Sequence, residues 1–311
     1  MSGVEARTTE AGNRIGADVP TGCPLHCRPA PEAIFDLAGH RVLRCPACAL
    51  FFLRAEDLRP ASLLERSEFE DAFYDLRTSN YQVILGHLQE LGAGQELLDV
   101  GCSSGWFLEQ ARRHGYRCRG IEPDDFFFER ARRRLPAEVE LVHGFFDRDL
   151  PAAWTGFDVI TFHDVFEHLP HPIEILGACR RRLQPNGWVV LSVPSAAGFV
   201  FTLSRWFYRL GATAPLERMF QLHYPYPHLF YFDRRSIAAL AQRSGFEVVR
   251  SFGLRALSAR GSFHRARMDR ASSWKQTIRN GLAGSALVSF ALLQYVLPPD
   301  NEVFILKPKP L

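Results

Sequence analysis

Seven short apolar stretches stand out along the chain, and from residue 96 onward they alternate with helical or turn-rich segments. Residues 97–100, 117–121, 139–142, 157–162, 188–193, 246–249 and 303–306 read as strands. Nearly continuous apolar runs of this length suit strands buried on both faces, and the segments between them supply the covering helices. The pattern predicts an α/β protein with a doubly wound, Rossmann-like sheet. There is no internal repeat and no low-complexity segment.

The rest of the chain divides around that core. Residues 1–20 are polar and irregular and read as a disordered tail. Residues 21–55 carry two cysteine knuckles. Residues 56–92 read as a helical linker or lid, with Leu63, Leu64, Phe69, Phe73, Tyr81, Ile84 and Leu88 on its apolar positions. The main domain then spans 93–311, with helical insertions expected at 196–228 and 252–300. Hydrophobic residues make up 47% of the chain and charged residues 23%, enough to bury a core of that size.

Charge and hydropathy narrow the partners. A net charge of +3 argues against nucleic acid, and the arginine runs at 132–134 and 180–182 read as solvated helix faces. No apolar leader is visible near the N-terminus, so a cytoplasmic address is expected. Residues 282–297 form a mostly apolar run of 16, short of the ~20 that a membrane span needs. Crossing there would also strand 303–306 away from its sheet, so no transmembrane segment is expected. Residues 254–279 hold seven Arg or Lys against Asp269 alone. A basic stretch beside an apolar one suits peripheral contact with the inner face of the membrane. Packing of the two apolar insertions over the substrate site, or arginine recognition of a nucleotide-sugar phosphate, accounts for the same residues.

Four of the seven cysteines lie near the N-terminus, as Cys23-Pro-Leu-His-Cys27 and Cys45-Pro-Ala-Cys48. Two chelating pairs on tight turns make a tetrahedral, structural zinc site, with either Cys27 or His26 as the fourth ligand.

The sharpest chemical signal is Asp99-Val-Gly101-Cys102-Ser103-Ser104-Gly105, between the first core strand and the next helix. Glycines let the backbone turn sharply and approach a ligand, and the helix N-terminus behind them favours an anionic group. Ser103 and Trp106 occupy the second and third glycine positions of a nicotinamide-binding turn, so that reading is weak. Glu122, at the end of the second core strand, is placed to accept hydrogen bonds from both ribose hydroxyls of a nucleoside.

Together these residues resemble the class I S-adenosylmethionine methyltransferases. Residues 98–105 look like the family's first motif and Ile121-Glu122-Pro123 like its ribose-binding acid. Residues 157–160 with His163-Asp164-Val-Phe-Glu167-His168-Leu169 are similar to the fourth-strand motif of the ubiquinone-biosynthesis O-methyltransferases. Leu183-Gln-Pro-Asn-Gly187-Trp188 resembles the turn before the fifth strand, and Ser244-Gly245-Phe246 the approach to the sixth. The N-terminal knuckles are similar to those of some bacterial sugar and polysaccharide methyltransferases. The resemblance implies sheet order 3-2-1-4-5-7-6 with an antiparallel last strand, and S-adenosylmethionine as cofactor. It implies that Asp99, Gly101, Cys102, Ser103 and Gly105 shape the methionine end, that Glu122 holds the ribose and that Pro123 packs near the adenine. Two departures stand out: Ser103 replaces the common middle glycine, and Phe145 replaces the acid that often reads the adenine amino group. Phe145 or Phe146 stacking on the base, or Asp147 substituting for the acid, are the alternatives.

The sulfonium already activates the methyl group, so the protein must align an acceptor and, for a hydroxyl, supply a base. His163 is expected to line the cofactor and His168 to act near the acceptor. Asp164, Glu167 and His168 also resemble an E-x-x-E-H arrangement that holds a divalent cation in some O-methyltransferases. Capping of the loop by Glu167 and His168 is the structural alternative. In 223–232, aromatics interleave with His223 and His228, which suits a substrate wall, and the family's His-Leu pair points to His228. The expected function is methyl transfer to a small-molecule or saccharide hydroxyl. Its rivals are an RNA base methyltransferase and a non-catalytic S-adenosylmethionine-binding scaffold.

Overall fold

The computed structural model describes residues 22–54, 74–222, 224, 226–255 and 296–310. The expected tail at 1–20, the first part of the linker at 56–73, and most of the basic and apolar stretches between 256 and 295 lie outside the described residues.

The main sheet follows directly from the apolar runs. Its strands in chain order are β4 (Glu96–Val100), β5 (Arg117–Glu122), β6 (Glu140–His143), β7 (Phe157–His163), β8 (Leu183–Pro194), β10 (Phe246–Leu254) and β11 (Asn301–Pro308). They lie in the order β6-β5-β4-β7-β8-β11-β10. Numbered within the sheet, this is 3-2-1-4-5-7-6, and the last strand runs antiparallel to both neighbours. Leu97, Leu98, Val159, Ile160, Val189 and Val190 are fully buried, as a sheet covered on both sides requires. Each such side chain contributes about 1.5–3 kcal/mol. β8 begins at Leu183, five positions before the expected start at 188, because the 183–187 stretch stays extended and Leu183 registers against Phe157.

Helices cover the sheet: α1 (Tyr74–Glu90), α2 (Trp106–Arg113), α3 (Asp125–Arg134), α4 (Pro172–Arg182), α5 (Phe199–Arg209), α6 (Ala214–Met219) and α7 (Arg234–Arg243). Asp124 caps α3 by accepting from the amides of Phe126 and Phe127. Asp233 and Ser236 close a reciprocal capping box on α7.

The cysteine segment forms its own small sheet. β1 (Glu32–Leu37) and β2 (His40–Arg44) join through Ala38 and Gly39, both at positive φ, a pairing that matches the twist of a two-residue hairpin. β3 (Phe51–Leu53) follows, and the fourth strand, β9 (Phe230–Tyr231), is contributed by the main domain. Phe51 registers against Tyr231 and Phe52 against Phe230. The sequence reading treated 21–55 as knuckles around a short hydrophobic stretch, and this interlocking was not expected from it.

Candidate functional site

Parallel strands present their C-terminal ends on one edge, and the crevice there is where open α/β sheets bind ligands. β4 and β7 are neighbours, with Val100 opposite Phe162. The turn after β4 and the segment after β7 are therefore side by side.

The turn after β4 is fastened to β5. The amides of Gly101 and Cys102 both donate to the Ile121 carbonyl, at 2.8 and 3.1 Å. Gly101, Ser103 and Gly105 all have positive φ, of 69°, 48° and 78°. Ser103 thus adopts the left-handed conformation that glycine takes more cheaply. A Cβ on Gly101 would stand 2.5 Å from the Val165 side chain, so this glycine is needed for contact with the segment after β7. Glu122 is buried, and both its oxygens are engaged: Ser103 N–H donates to one at 2.8 Å and Asp124 N–H to the other at 2.9 Å. Asp99 is buried under the turn and accepts from the Thr161 hydroxyl at 2.7 Å. Burial pushes its carboxyl up to about 8. The Cys102 thiol, buried beside it, is pushed up for the same reason.

Just beyond Glu122, the Pro123 carbonyl lies 3.1 Å from His143 Nε2. The Phe145 ring is exposed, lies under the Arg148 guanidinium, and has its amide on Asp149. The Phe146 ring is instead buried edge-on against Phe162. Asp147 faces Arg148 at 3.8 Å.

After β7 the histidines take separate places. His163 is packed on Phe107 and Tyr81, and burial, with Arg77 next, pushes its imidazole down to about 3. Neither of its nitrogens has a hydrogen-bond partner among the described residues. Asp164 turns outward, accepts from Asn301 Nδ2 at 2.7 Å and faces Arg77 at 3.8 Å. Neither partner carried a signal in the sequence, because each lies far along the chain.

Glu167 and His168 sit on a single 3-10 turn at Phe166–His168, where a second chain segment meets them. The Leu229 amide donates to the Glu167 carbonyl, and His228 Nε2 stands 3.8 Å from Glu167 Oε1. His168 Nδ1 is 2.9 Å from the Pro227 carbonyl. A carbonyl only accepts, so Nδ1 carries the proton and Nε2 keeps its lone pair. His228 Nδ1 is 3.3 Å from the Tyr231 hydroxyl, whose own proton goes to the Met219 carbonyl. His228 Nδ1 is then also a donor, and its Nε2 turns a lone pair toward Glu167. Burial holds both imidazoles below their ordinary range, and it holds the Glu167 carboxyl above its own. Neither Glu167 oxygen has a hydrogen-bond partner among the described residues. Glu167, His168 and His228 each offer an atom within 4.8 Å of the others. The grouping thus contains His228, whereas the motif had suggested Asp164 as the third ligand beside Glu167 and His168.

At the far side of β3, Cys23, Cys27, Cys45 and Cys48 converge with their sulfurs within 4.8 Å of one another. The Leu25 amide points at the Cys23 sulfur, at 3.4 Å. All four thiols are free, and their convergence on one point is compatible with a zinc ion. His26, the alternative ligand, is exposed at a positive φ of 53°.

A glycine turn over the first strand, an acid at the end of the second and this strand order define a Rossmann-like methyltransferase fold. A family model described as a methyltransferase domain matches residues 70–251, and the chain belongs to that methyltransferase family. Among curated proteins, it is 36% identical over 106 residues to a ubiquinone biosynthesis O-methyltransferase of Thiobacillus denitrificans, covering 32% of this chain and 44% of that protein. It is 28% identical over 188 residues to the protein of the same name in Bordetella avium, covering 58% and 73%. The chain thus spans less than half the length of the first of these relatives. Among solved structures, a phosphoethanolamine N-methyltransferase 2 of Haemonchus contortus superposes with TM-score 0.54 at 19% identity, covering 84% of this chain and 62% of that one. A cyclopropane synthase of Mycobacterium tuberculosis superposes with TM-score 0.53 at 16% identity, covering 82% and 91%. These likenesses concern the fold. No helix among the described residues is long and apolar enough to cross a membrane.

Proposed function

We propose that the protein transfers the methyl group of S-adenosylmethionine to a hydroxyl of a small-molecule or saccharide acceptor, in the cytoplasm at the inner face of the membrane. The observation that carries this reading is the junction of two loops: the Gly101 turn abuts Val165, which is bracketed by His163 and His168. A cofactor cradled by Asp99, Gly101, Cys102, Ser103, Gly105 and Glu122 would direct its methyl group toward the imidazoles. Pro123 and Phe145 would flank the adenine, and His163 would line the cofactor as a neutral ring.

His168 is the proposed base. Its Nε2 lone pair is fixed by the Pro227 contact, and burial keeps the ring neutral, so it is ready to take the proton an acceptor hydroxyl releases. His228 and Glu167 orient that side of the pocket. The carboxylate and two imidazoles also form a donor set suited to a divalent cation, which would lower the acceptor's pKa when bound. Asp164 serves from outside, through Asn301 and Arg77. Zinc on the four cysteines would be structural, because four thiols fill a tetrahedral shell and leave no open position.

The test is calorimetric titration of the zinc-replete chain with S-adenosylhomocysteine, beside a Glu122→Ala variant. Binding in the range of ~1–100 μM is expected, and the variant should lose roughly tenfold to a hundredfold through lost charge-assisted hydrogen bonds. A folded wild type that binds nothing would remove the reading.

A further inference from the structure

The cysteine segment and the turn that carries Glu167 are joined through a short run of backbone hydrogen bonds. The second knuckle closes where the Ala49 amide donates to the Cys45 carbonyl, and the Cys45 amide donates in turn to Leu50, both at 2.9 Å. β3 starts at the next residue. Along it, Phe51 and Phe52 register against Tyr231 and Phe230. At its end the Leu53 amide donates to the Leu229 carbonyl, and the Leu229 amide donates to the Glu167 carbonyl, again at 2.9 Å each. The parts share a core as well: Cys45 and Cys48 are buried in one continuous apolar cluster with Phe52, Leu229 and Phe230. β9 is the edge of the small sheet, so its ladder partners there come from β3. Phe232, just beyond it, bridges to Ser195 of the main domain. Without β3 the strand would be loosened at one end and held at the other.

β9 also carries the group that orients His228. The Tyr231 ring is buried, stacked on Phe201 at 4.4 Å and edge-on to Phe220 at 4.9 Å. Its hydroxyl gives its proton to the Met219 carbonyl at 2.7 Å, and the oxygen faces His228 Nδ1 at 3.3 Å with lone pairs only. That arrangement fixes the proton on Nδ1. The Nε2 lone pair is left on the Glu167 side, 3.8 Å from Oε1. The His228 ring lies edge-on to His168, with centroids 4.8 Å apart. Tyr231 thus decides which His228 nitrogen carries the proton, as the outer partner of a working imidazole does.

The half proposed to hold the cofactor does not use this path. Gly101 and Cys102 bond to Ile121, and Glu122 accepts from Ser103 and Asp124. All of these residues belong to β4, β5 and the segments directly after them. The two halves of the crevice therefore differ in what fastens them.

We propose that the four-cysteine module, acting through β3 and Tyr231, sets the position and tautomer of His228, so that loss of zinc from the thiols loosens His228 against Glu167 and leaves the Gly101 turn intact. Tyr231 and the β3 backbone are positioning groups: they act on the acceptor side only through His228 and Leu229. The consequence for catalysis rests on the proposed methyl transfer; the coupling itself does not.

Hydrogen–deuterium exchange of the full chain, zinc-loaded and then treated with a chelator, reads the first link. Exchange should quicken roughly tenfold in peptides covering 51–53 and 227–231, and stay within about twofold in 96–105 and 117–122. Exchange that quickens only in 23–48 would show a module standing by itself. Exchange that quickens everywhere would show general support of the fold, and either result overturns the proposal. The second link is read with zinc in place in Tyr231→Phe, which keeps the ring on Phe201 and removes the hydroxyl. In nitrogen-15-labelled histidine spectra, His228, located by comparison with His228→Gln, should shift from its Nδ1–H form toward Nε2–H. Lost packing alone would not produce that change, and an unaltered tautomer overturns the proposal. Neither measurement needs cofactor, so failure here is told apart from failure of the untreated chain to bind S-adenosylhomocysteine.

Discussion

Glu122 and Glu167 are both buried carboxylates at the C-terminal edge of the same sheet, yet their surroundings treat them oppositely. Glu122 ends a strand and finds two backbone amides within hydrogen-bond reach, one from the glycine turn and one from its own helix entry. Everything that satisfies it is local or follows from strand pairing. Glu167 sits on a short buried turn, with no donor on either oxygen among the described residues, and His228 turns its Nε2 toward it while His168 lies close by. A buried carboxyl in that position must hold a proton or face a cation. The half proposed to hold the cofactor thus has its buried carboxylate satisfied within the chain. The half proposed to meet the acceptor carries an unmet demand among the described residues, as a site that handles protons or cations would.

The largest expected effect is on the satisfied half. Gly101→Ala forces a methyl group onto Val165 at a left-handed position, and should destabilise the fold by about 2–4 kcal/mol and abolish measurable S-adenosylhomocysteine binding. Calorimetry and thermal unfolding check both; retained affinity would mean that the turn is not the cofactor cradle. On the other half, His168→Ala should slow methyl transfer roughly a hundredfold while leaving cofactor affinity within about twofold. A matching loss of affinity would erase the division between the halves. The smallest effect concerns Asp99. Its carboxyl is raised from an ordinary value near 3.8 to about 8 in the fold. The folded form therefore holds a proton that the unfolded chain has released. That contribution is fully present below about pH 4 and is lost as the pH rises toward 8, amounting to about 1–3 kcal/mol after relaxation. Asp99→Asn should flatten the decline in unfolding free energy over that window, and an unaltered slope would place the titration elsewhere.

What was legible in the sequence follows the same division. The strands, the Gly101 turn and Glu122 are encoded within single segments, because apolar runs and glycine spacing act over a few residues. Their order in the sheet came through resemblance and matches. The pairing of β3 with β9 joins residues almost 180 positions apart through two backbone partners, and no local pattern announces such a register. With β9 comes the loop that delivers His228 to Glu167, so the third member of that cluster was identified as a substrate-wall residue and not as its neighbour. Asp164 stands apart from that grouping for a related reason: its spacing suggested a ligand, while Asn301, from the last strand, donates to its carboxylate. One signal was available. The alternation in Ile34-Phe35-Asp36-Leu37 followed by Ala38-Gly39 is a hairpin pattern.

The two-residue strand β9 also bears on how such a protein could arise by descent. Its free edge, and the Tyr231 and Phe201 rings behind it, are covered by β3 and Phe51. A chain without the cysteine module would leave an unpaired strand edge beside an aromatic surface, which invites aggregation. A module without α5 and β9 would strip Phe35 of the Tyr208 ring and Phe51 of the Phe201 ring that pack on them. Neither piece can be gained or lost alone at little cost, so the two are expected to be inherited together.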